Sequence, residues 1–390
     1  MLLYVEIQKI FKSRKFLFAL VIMIGFNLFY CWFASKYAFN RNIKYTQSFI
    51  SDYEKKIKEL EQKIKKEKDE KIKNLYQQQI VEMRMVIEEQ KLKLQYATNP
   101  KKEMEVKAKY YKMMYENAKK AGNYKELEVY NVNYKILSEN IKKKKFYNVG
   151  EQFDAWIYLI SQADGVAFFM IIILALLIGS GIVSDEYKER TIKLLKTMPV
   201  KRGKIILIKF IATVLTLSIL IIGIQIIFFI VLGVITDSLK YYDVYYDWIS
   251  KYKAIGFKVY PILNSSKILT LFECGLLLFL VEIVVIFVIC GAIVFFSTIF
   301  ENGAFAVVSF ITMILCISIL RQQMFVQRIS ILKLLPLVFP WNFEEVYSNS
   351  LAEKIQLSFV SSYIVIGLNL LLAVIFVLSS IKIFKTKENV

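Results

Sequence analysis

The sequence predicts an all-α, polytopic membrane protein. Six transmembrane helices, an N-terminal amphipathic elbow helix and an extracellular coiled-coil or helical-hairpin domain are expected. Two observations predict this. Hydrophobic residues make up 56% of the 390-residue chain, yet it also carries 52 Lys+Arg against 33 Asp+Glu. High apolar content and high charge coexist only when segregated, and the apolar residues here gather into blocks of spanning length.

Residues 1–15 form the elbow. Leu3, Ile7, Ile10 and Phe11 share one face, with Lys9, Lys12, Arg14 and Lys15 around it. The first span, 16–34, is too long for a signal-peptide core and no small-x-small site follows it, so a retained anchor is expected. Residues 35–164 are predicted as the extracellular helical domain. Ile50, Ile57 and Ile64, with Tyr53 and Leu60 between them, keep heptad spacing, which resumes at Ile80, Ile87 and Leu94. Asn99-Pro100 ends that helix. A second is expected over 101–120, then a Gly122-Asn123 turn, then a third with Leu127, Tyr130, Tyr134, Leu137 and Ile141 as its stripe. The domain reads as a stalk or packing scaffold ahead of a substrate or partner platform.

The second span is 165–183, followed by a cytoplasmic loop at 184–204. The third span, 205–235, and the fourth, 268–299, are long, about 46 Å as helices against a hydrocarbon core of about 30 Å. They are expected to tilt, break or project, with Gly223 and Gly291 as candidate bends. Residues 236–267 are rich in tyrosine (Tyr241, Tyr242, Tyr245, Tyr246, Tyr252, with Trp248) and read as an interfacial aromatic belt. The fifth span is 303–320. Residues 321–359, with Arg321, Arg328, Pro336, Pro340 and Trp341, read as an extracellular or re-entrant segment. The sixth span is 360–381 and the tail is 382–390.

Basic residues cluster in the N-terminal flank, in the loop after span two (Lys188, Arg190, Lys193, Lys196, Lys201, Arg202, Lys204) and in the tail (Lys382, Lys385, Lys387). With six spans all three fall on one side, so both termini are expected in the cytoplasm of a bacterial plasma-membrane protein. The +19 net charge is assigned to anionic lipid, not nucleic acid, because a soluble nucleic-acid binder has no place for the apolar blocks. The sequence contains no histidine, which excludes Ser-His-Asp and Cys-His nucleophile systems, HExxH zinc sites and histidine pH switches. Cys31, Cys274, Cys290 and Cys316 all lie in or beside apolar runs and read as packing residues. No catalytic set, cofactor site or metal site is expected on this chain.

Span four carries Glu273 and Glu282. Ionisable groups in a span are costly and face a bundle interior, so both are candidate translocation-path residues, Glu282 the better placed. Asn27 and Gln225 in spans one and three join them, with helix–helix hydrogen bonding as their ordinary role.

The most informative stretch runs from Gly179 to Lys209. Ser184-Asp185-Glu186 reads as an N-cap and acidic first turn of a short helix. Tyr187, Thr191, Leu194 and Leu195 share a face, Pro199 stops the helix, and Lys201, Arg202 and Lys204 meet the lipid phosphates. A short amphipathic rod clamped between two spans can pass force to and from a soluble partner.

This pattern resembles the ABC-2 type permease family, the membrane subunits of type V ABC exporters. The matching pieces are Asp185-Glu186-Tyr187, Thr191-Ile192-Lys193-Leu194-Leu195 and Pro199-Val200-Lys201-Arg202, with Glu6 to Lys15 similar to the family's elbow helix. The family often has glycine before the threonine; this chain has Arg190. The resemblance implies that 184–198 is a coupling helix seated on a separate ABC ATPase, present in two copies. Asp185, Glu186, Tyr187, Arg190, Thr191, Leu194, Leu195, Pro199 and Arg202 would form the coupling site. It also implies a second permease chain, as a homodimer or heterodimer, and residues 35–164 as an insertion. No GxxxxGK[ST] occurs in the sequence, so ATP and Mg are expected on the partner ATPase. Two other readings remain: a membrane-anchored receptor or scaffold using the helical domain, and an ion-coupled secondary transporter using Glu282. No inverted repeat or paired broken helices support the second.

Overall fold

A computed structural model describes residues 2–67, 69–96, 99–122, 124–147, 153–162, 166–191, 200–255, 258–322, 333–335 and 342–387. Helix α1 (Leu2–Phe11) is the elbow. Helix α2 (Arg14–Lys66) is one unbroken helix of 53 residues, about 80 Å long. The Ser13 hydroxyl caps it, accepting from the Phe16 N–H at 3.1 Å. The sequence divides this stretch at residue 34, but no Gly or Pro interrupts 35–66, so the first span and the first arm of the hairpin form a single rod.

Helix α3 (Glu70–Tyr96) runs back along it. Ile50, Ile57, Ile80 and Ile87 are buried against Tyr53, Leu60, Ile64 and Met83, as the heptads predict. Interhelical pairs Arg84–Glu61 at 2.8 Å and Lys91–Glu54 at 2.9 Å fix the antiparallel register. The side chain of Leu94 lies outside the described residues. Helix α4 (Pro100–Ala121) starts under an Asn99 cap and ends at Gly122, whose φ of 67° suits glycine. Helix α5 (Tyr124–Lys142) packs back on α4. Of its predicted stripe Leu127 is buried, while Tyr130, Tyr134, Leu137 and Ile141 are half-buried. Its polar Glu128, Asn131 and Asn140 are buried instead, because that face meets a strand element absent from the sequence-based expectation.

That element is a pair of nested antiparallel hairpins, with β1 (Tyr245–Ile249) on β4 (Lys267–Thr270) and β2 (Tyr252–Ile255) on β3 (Lys258–Pro261). Glu128 accepts the Asn264 N–H at 2.8 Å, the Ser266 N–H at 3.3 Å and the Ser266 hydroxyl. Asn140 exchanges two hydrogen bonds with the Tyr245 backbone, at 2.8 and 2.9 Å. The tyrosines of 236–267 are therefore built largely into a folded subdomain. Tyr241 stacks on Tyr147 at 4.3 Å, and Tyr245 receives Lys143 on its ring.

The bundle comprises α6 (Ala155–Gln162), α7 (Val166–Gly179), α8 (Ser184–Lys188), α9 (Arg202–Ile235), α10 (Leu271–Ile299), α11 (Gly303–Gln322), α12 (Phe343–Tyr347), α13 (Leu351–Ile355) and α14 (Ser362–Thr386). The chain is an all-α polytopic membrane protein with little strand. Among the described residues five helical stretches are long and apolar enough to cross a bilayer: Arg14–Lys36, Ala167–Lys188, Arg202–Ile235, Leu271–Ile299 and Ser362–Thr386. Helix α11 has 20 residues, of which Gly303–Ile317 form a shorter apolar stretch.

Helices α9 and α10 run unbroken through Gly223 and Gly291. Gly291 serves packing: a Cβ there would stand 3.3 Å from the Ala373 carbonyl oxygen of α14. Trp156 and Leu159 of α6 join the bundle interior, so the end of the segment read as 35–164 belongs to the bundle. Cys274 and Cys290 are buried in the bundle.

Two ends of the bundle are well defined by contacts. One gathers α1, residues 180–191, the start of α9, residues 297–303 and Lys387. The other gathers α6, residues 236–270 and residues 342–362. Arg328, Pro336, Pro340 and Trp341 lie outside the described residues, as does the side chain of Arg321.

Candidate functional site

The first site lies at the end holding both termini. Helix α7 turns through 180–183 into α8. The predicted Ser184 cap is not what starts α8: its hydroxyl donates to the Ser180 carbonyl at 2.9 Å, and the N-cap position is Val183. The turn is instead pinned by Ser297 of α10, whose hydroxyl accepts the N–H groups of Val183 and Ser184 at 3.0 and 3.1 Å.

Around α8 sits an alternating ion network. Lys209 of α9 lies 3.0 Å from Glu6 and 2.9 Å from Glu186. Lys9 lies 2.6 Å from Glu186, and Thr191 donates its hydroxyl to the same carboxylate. Lys209 and Glu186 are 1% and 3% exposed, so each charge is dehydrated and depends on its partners. Partial burial acts to lower the Lys9 ammonium, but the Glu186 carboxylate outweighs it and holds Lys9 above its ordinary value.

Asp185 pairs with Lys15 at 2.6 Å nearer the surface. Gly181 permits this pair, because a Cβ there would collide with Asp185 Oδ2 and Lys15 Nζ. Lys387 lies 5.0 Å from the centre of the Tyr187 ring and donates to the Ile299 carbonyl at 2.5 Å. The elbow, the α7–α8 turn, the base of α9, the end of α10 and the tail thus form one interlocked corner.

Arg190 follows with φ of 59°, a left-handed conformation that L side chains adopt at a cost. This is the position before Thr191. Leu194, Leu195 and Pro199 lie outside the described residues, together with the rest of 192–199. Arg202 opens α9.

The second site is inside the bundle. Tyr158 donates to Asn27 Oδ1 at 2.6 Å and Gln162 donates to the same oxygen at 2.7 Å. Gln225 donates to Gln162 Oε1 at 3.2 Å and to Glu282 Oε1 at 3.0 Å. Asn27, Gln225 and Glu282, which the sequence singles out on three spans, are therefore joined in one buried chain. Glu273 is not in it. It completes a capping box with Thr270 at the start of α10 and lies 3.7 Å from Lys267.

Sequence reasoning missed Lys209, Glu6, Gln162 and Tyr158. Lys209 is the only Lys or Arg in 205–235, and a lone intramembrane cation is itself a signal. Gln162 was hidden because it precedes Asp164-Gly165 and falls just outside the apolar block.

Across residues 1–389 the chain matches the family model described as ABC-2 family transporter protein. The chain belongs to this ABC-2 transporter family. It is the membrane permease subunit of an ABC transporter, a multi-pass membrane protein, and membership implies pairing with an ABC ATPase and a membrane permease partner. A comparison with curated proteins finds no match. The outer bounds of the match enclose residues 35–164, the long helical hairpin of this ABC-2 permease included.

Proposed function

We propose that this ABC-2 permease is the transmembrane half of an exporter in the bacterial cytoplasmic membrane, driven by ATP and Mg bound to two copies of a separate ATPase. The corner at Glu186 is the coupling site, with 184–204 facing the cytosol and a second permease chain completing the path. The observation that carries this reading is the buried network joining Glu186 to α1 and α9. A force applied to α8 passes into α9 without slack, because neither Glu186 nor Lys209 can move without stranding a dehydrated charge, and Lys9 extends the link to α1.

Six crossings, with α11 counted beside the five longer stretches, would give the same orientation. Gly303 of α11 packs beside Ser184, while α14 ends at Lys387 on Tyr187. Helix α11, about 30 Å long, therefore leaves the corner and α14 returns to it. Both termini then lie on the side of the coupling element, in the cytosol.

Purifying the full chain from native membranes should co-purify a Walker-type ATPase, and Glu186→Ala should abolish the permease's stimulation of that ATPase. Transport by the permease with no ATPase present would overturn the proposal, as would labelling of Lys188→Cys from outside the cell.

A further inference from the structure

We propose that Glu282, Gln225 and Gln162 form an intramembrane site for one small, dehydrated monovalent cation of sodium size.

Glu282 sits on α10, roughly 16 Å along the helix from Leu271, close to mid-membrane. It is 3% exposed, and among the described residues no Lys or Arg is ion-paired with it. A carboxylate at this depth needs a compensating positive charge, either its own proton or a bound cation. The amide chain supplies none. Gln225 spends its amide nitrogen on Gln162 and Glu282, and Gln162 and Tyr158 both donate to Asn27.

What remains over is acceptor capacity. Gln225 Oε1 is buried without a hydrogen-bond partner, and Gln225 as a whole is 3% exposed. While Glu282 is ionised, as a bound cation would keep it, rotating that amide would aim its oxygen at a carboxylate, so the orientation with the oxygen unpartnered is the one held. Gln162, Gln225 and Glu282 line a cavity of about 10 Å³, with Leu159, Leu278 and Phe343 among its apolar walls. That volume holds one water-sized occupant. Helix–helix hydrogen bonding accounts for the amide chain. It does not account for a buried carboxylate and an orphaned amide oxygen on residues that line one water-sized void. An occupant offering positive charge to hard oxygen ligands does.

The inference is independent of the coupling assignment, because it needs neither ATP nor a partner. Its test uses the full chain in lipid nanodiscs at constant ionic strength. Sodium chloride should raise Tm saturably where choline chloride does not, with potassium chloride less effective. Glu282→Gln should lose the sodium response, and Gln225→Leu should weaken apparent sodium affinity roughly tenfold or more. Infrared difference spectra of the wild type should show sodium converting a protonated carboxyl band to carboxylate. That readout, with Gln225→Leu, decides the matter even if Glu282→Gln fails to fold. Equal responses to sodium and choline would overturn the proposal, as would a sodium response retained in both variants. A carboxyl band that answers to pH but not to sodium would make this a proton site and overturn it equally.

Discussion

Lys209 Nζ lies 2.9 Å from Glu186 Oε1, and this buried pair ties the base of α9 to the turn that leaves α7. Each partner has a second counter-charge, Glu6 for Lys209 and Lys9 for Glu186. Removing either of these two leaves the other dehydrated and short of a partner, at a cost of about 3–5 kcal/mol. Lys209→Met and Glu186→Ala should each lower Tm sharply in detergent. Combining them should cost less than their sum, with a coupling of about 0.5–3 kcal/mol. Strict additivity in that double-mutant cycle would mean that the pair contributes little.

Arg190 has a φ of 59°, where a Cβ crowds the following carbonyl oxygen and costs about 1–2 kcal/mol. Glycine adopts that conformation freely, against a larger unfolded-state entropy. Arg190→Gly should therefore raise Tm slightly, and Arg190→Val should lower it. A Tm fall with glycine as large as that with valine would show that the arginine side chain, not the backbone, matters at this position.

Much of this could be read in the sequence, for reasons that differ by element. The α2–α3 hairpin was legible because Ile50, Ile57, Ile80 and Ile87 sit on a regular period and bury against one another. The cap and breaker residues Asn99, Pro100 and Gly122 fixed the ends of α4. The strands at 245–270 were not legible. Their cross-strand partners lie in one long hairpin, and the polar positions that secure it belong to α5, more than a hundred residues upstream. The intramembrane chain was half legible, since Asn27, Gln225 and Glu282 stand out against apolar neighbours while Gln162 and Tyr158 lie before the apolar block. The corner at Glu186 was flagged by Asp185-Glu186-Tyr187, but its counter-charges come from α1 and α9, whose approach is a tertiary fact.

Glu128 is 1% exposed and holds the 264–266 turn through the Asn264 N–H and the backbone and hydroxyl of Ser266. Hydrogen bonds to a charged acceptor contribute about 1.5–3 kcal/mol each. Glu128→Ala should free α4–α5 from the strand element while leaving the α2–α3 hairpin intact. Hydrogen exchange should rise in 124–142 and 245–270 and stay unchanged in 50–66. Equal loosening of all three would mean that the outer helical pairs unfold as one unit.

Asp247 of β1 is buried and accepts the Tyr347 hydroxyl at 2.7 Å. Burial pushes its carboxyl above the ordinary value, and the Tyr347 hydroxyl and Trp248 N–H pull it only part of the way back. The folded state therefore holds this proton more tightly than the unfolded chain does. Between the ordinary carboxylate value near pH 4 and the raised folded value, the folded state binds more protons, so stability falls as pH rises through that window. Above it the penalty is fully present. Asn accepts the same hydrogen bond from Tyr347 without a charge to bury. Asp247→Asn should match the wild type at the acid end and exceed it in Tm near pH 7, with reduced hydrogen exchange in 245–249. If the variant is less stable than the wild type at neutral pH, the ionised carboxylate is stabilised there by something that burial does not outweigh, and this reading of β1 fails.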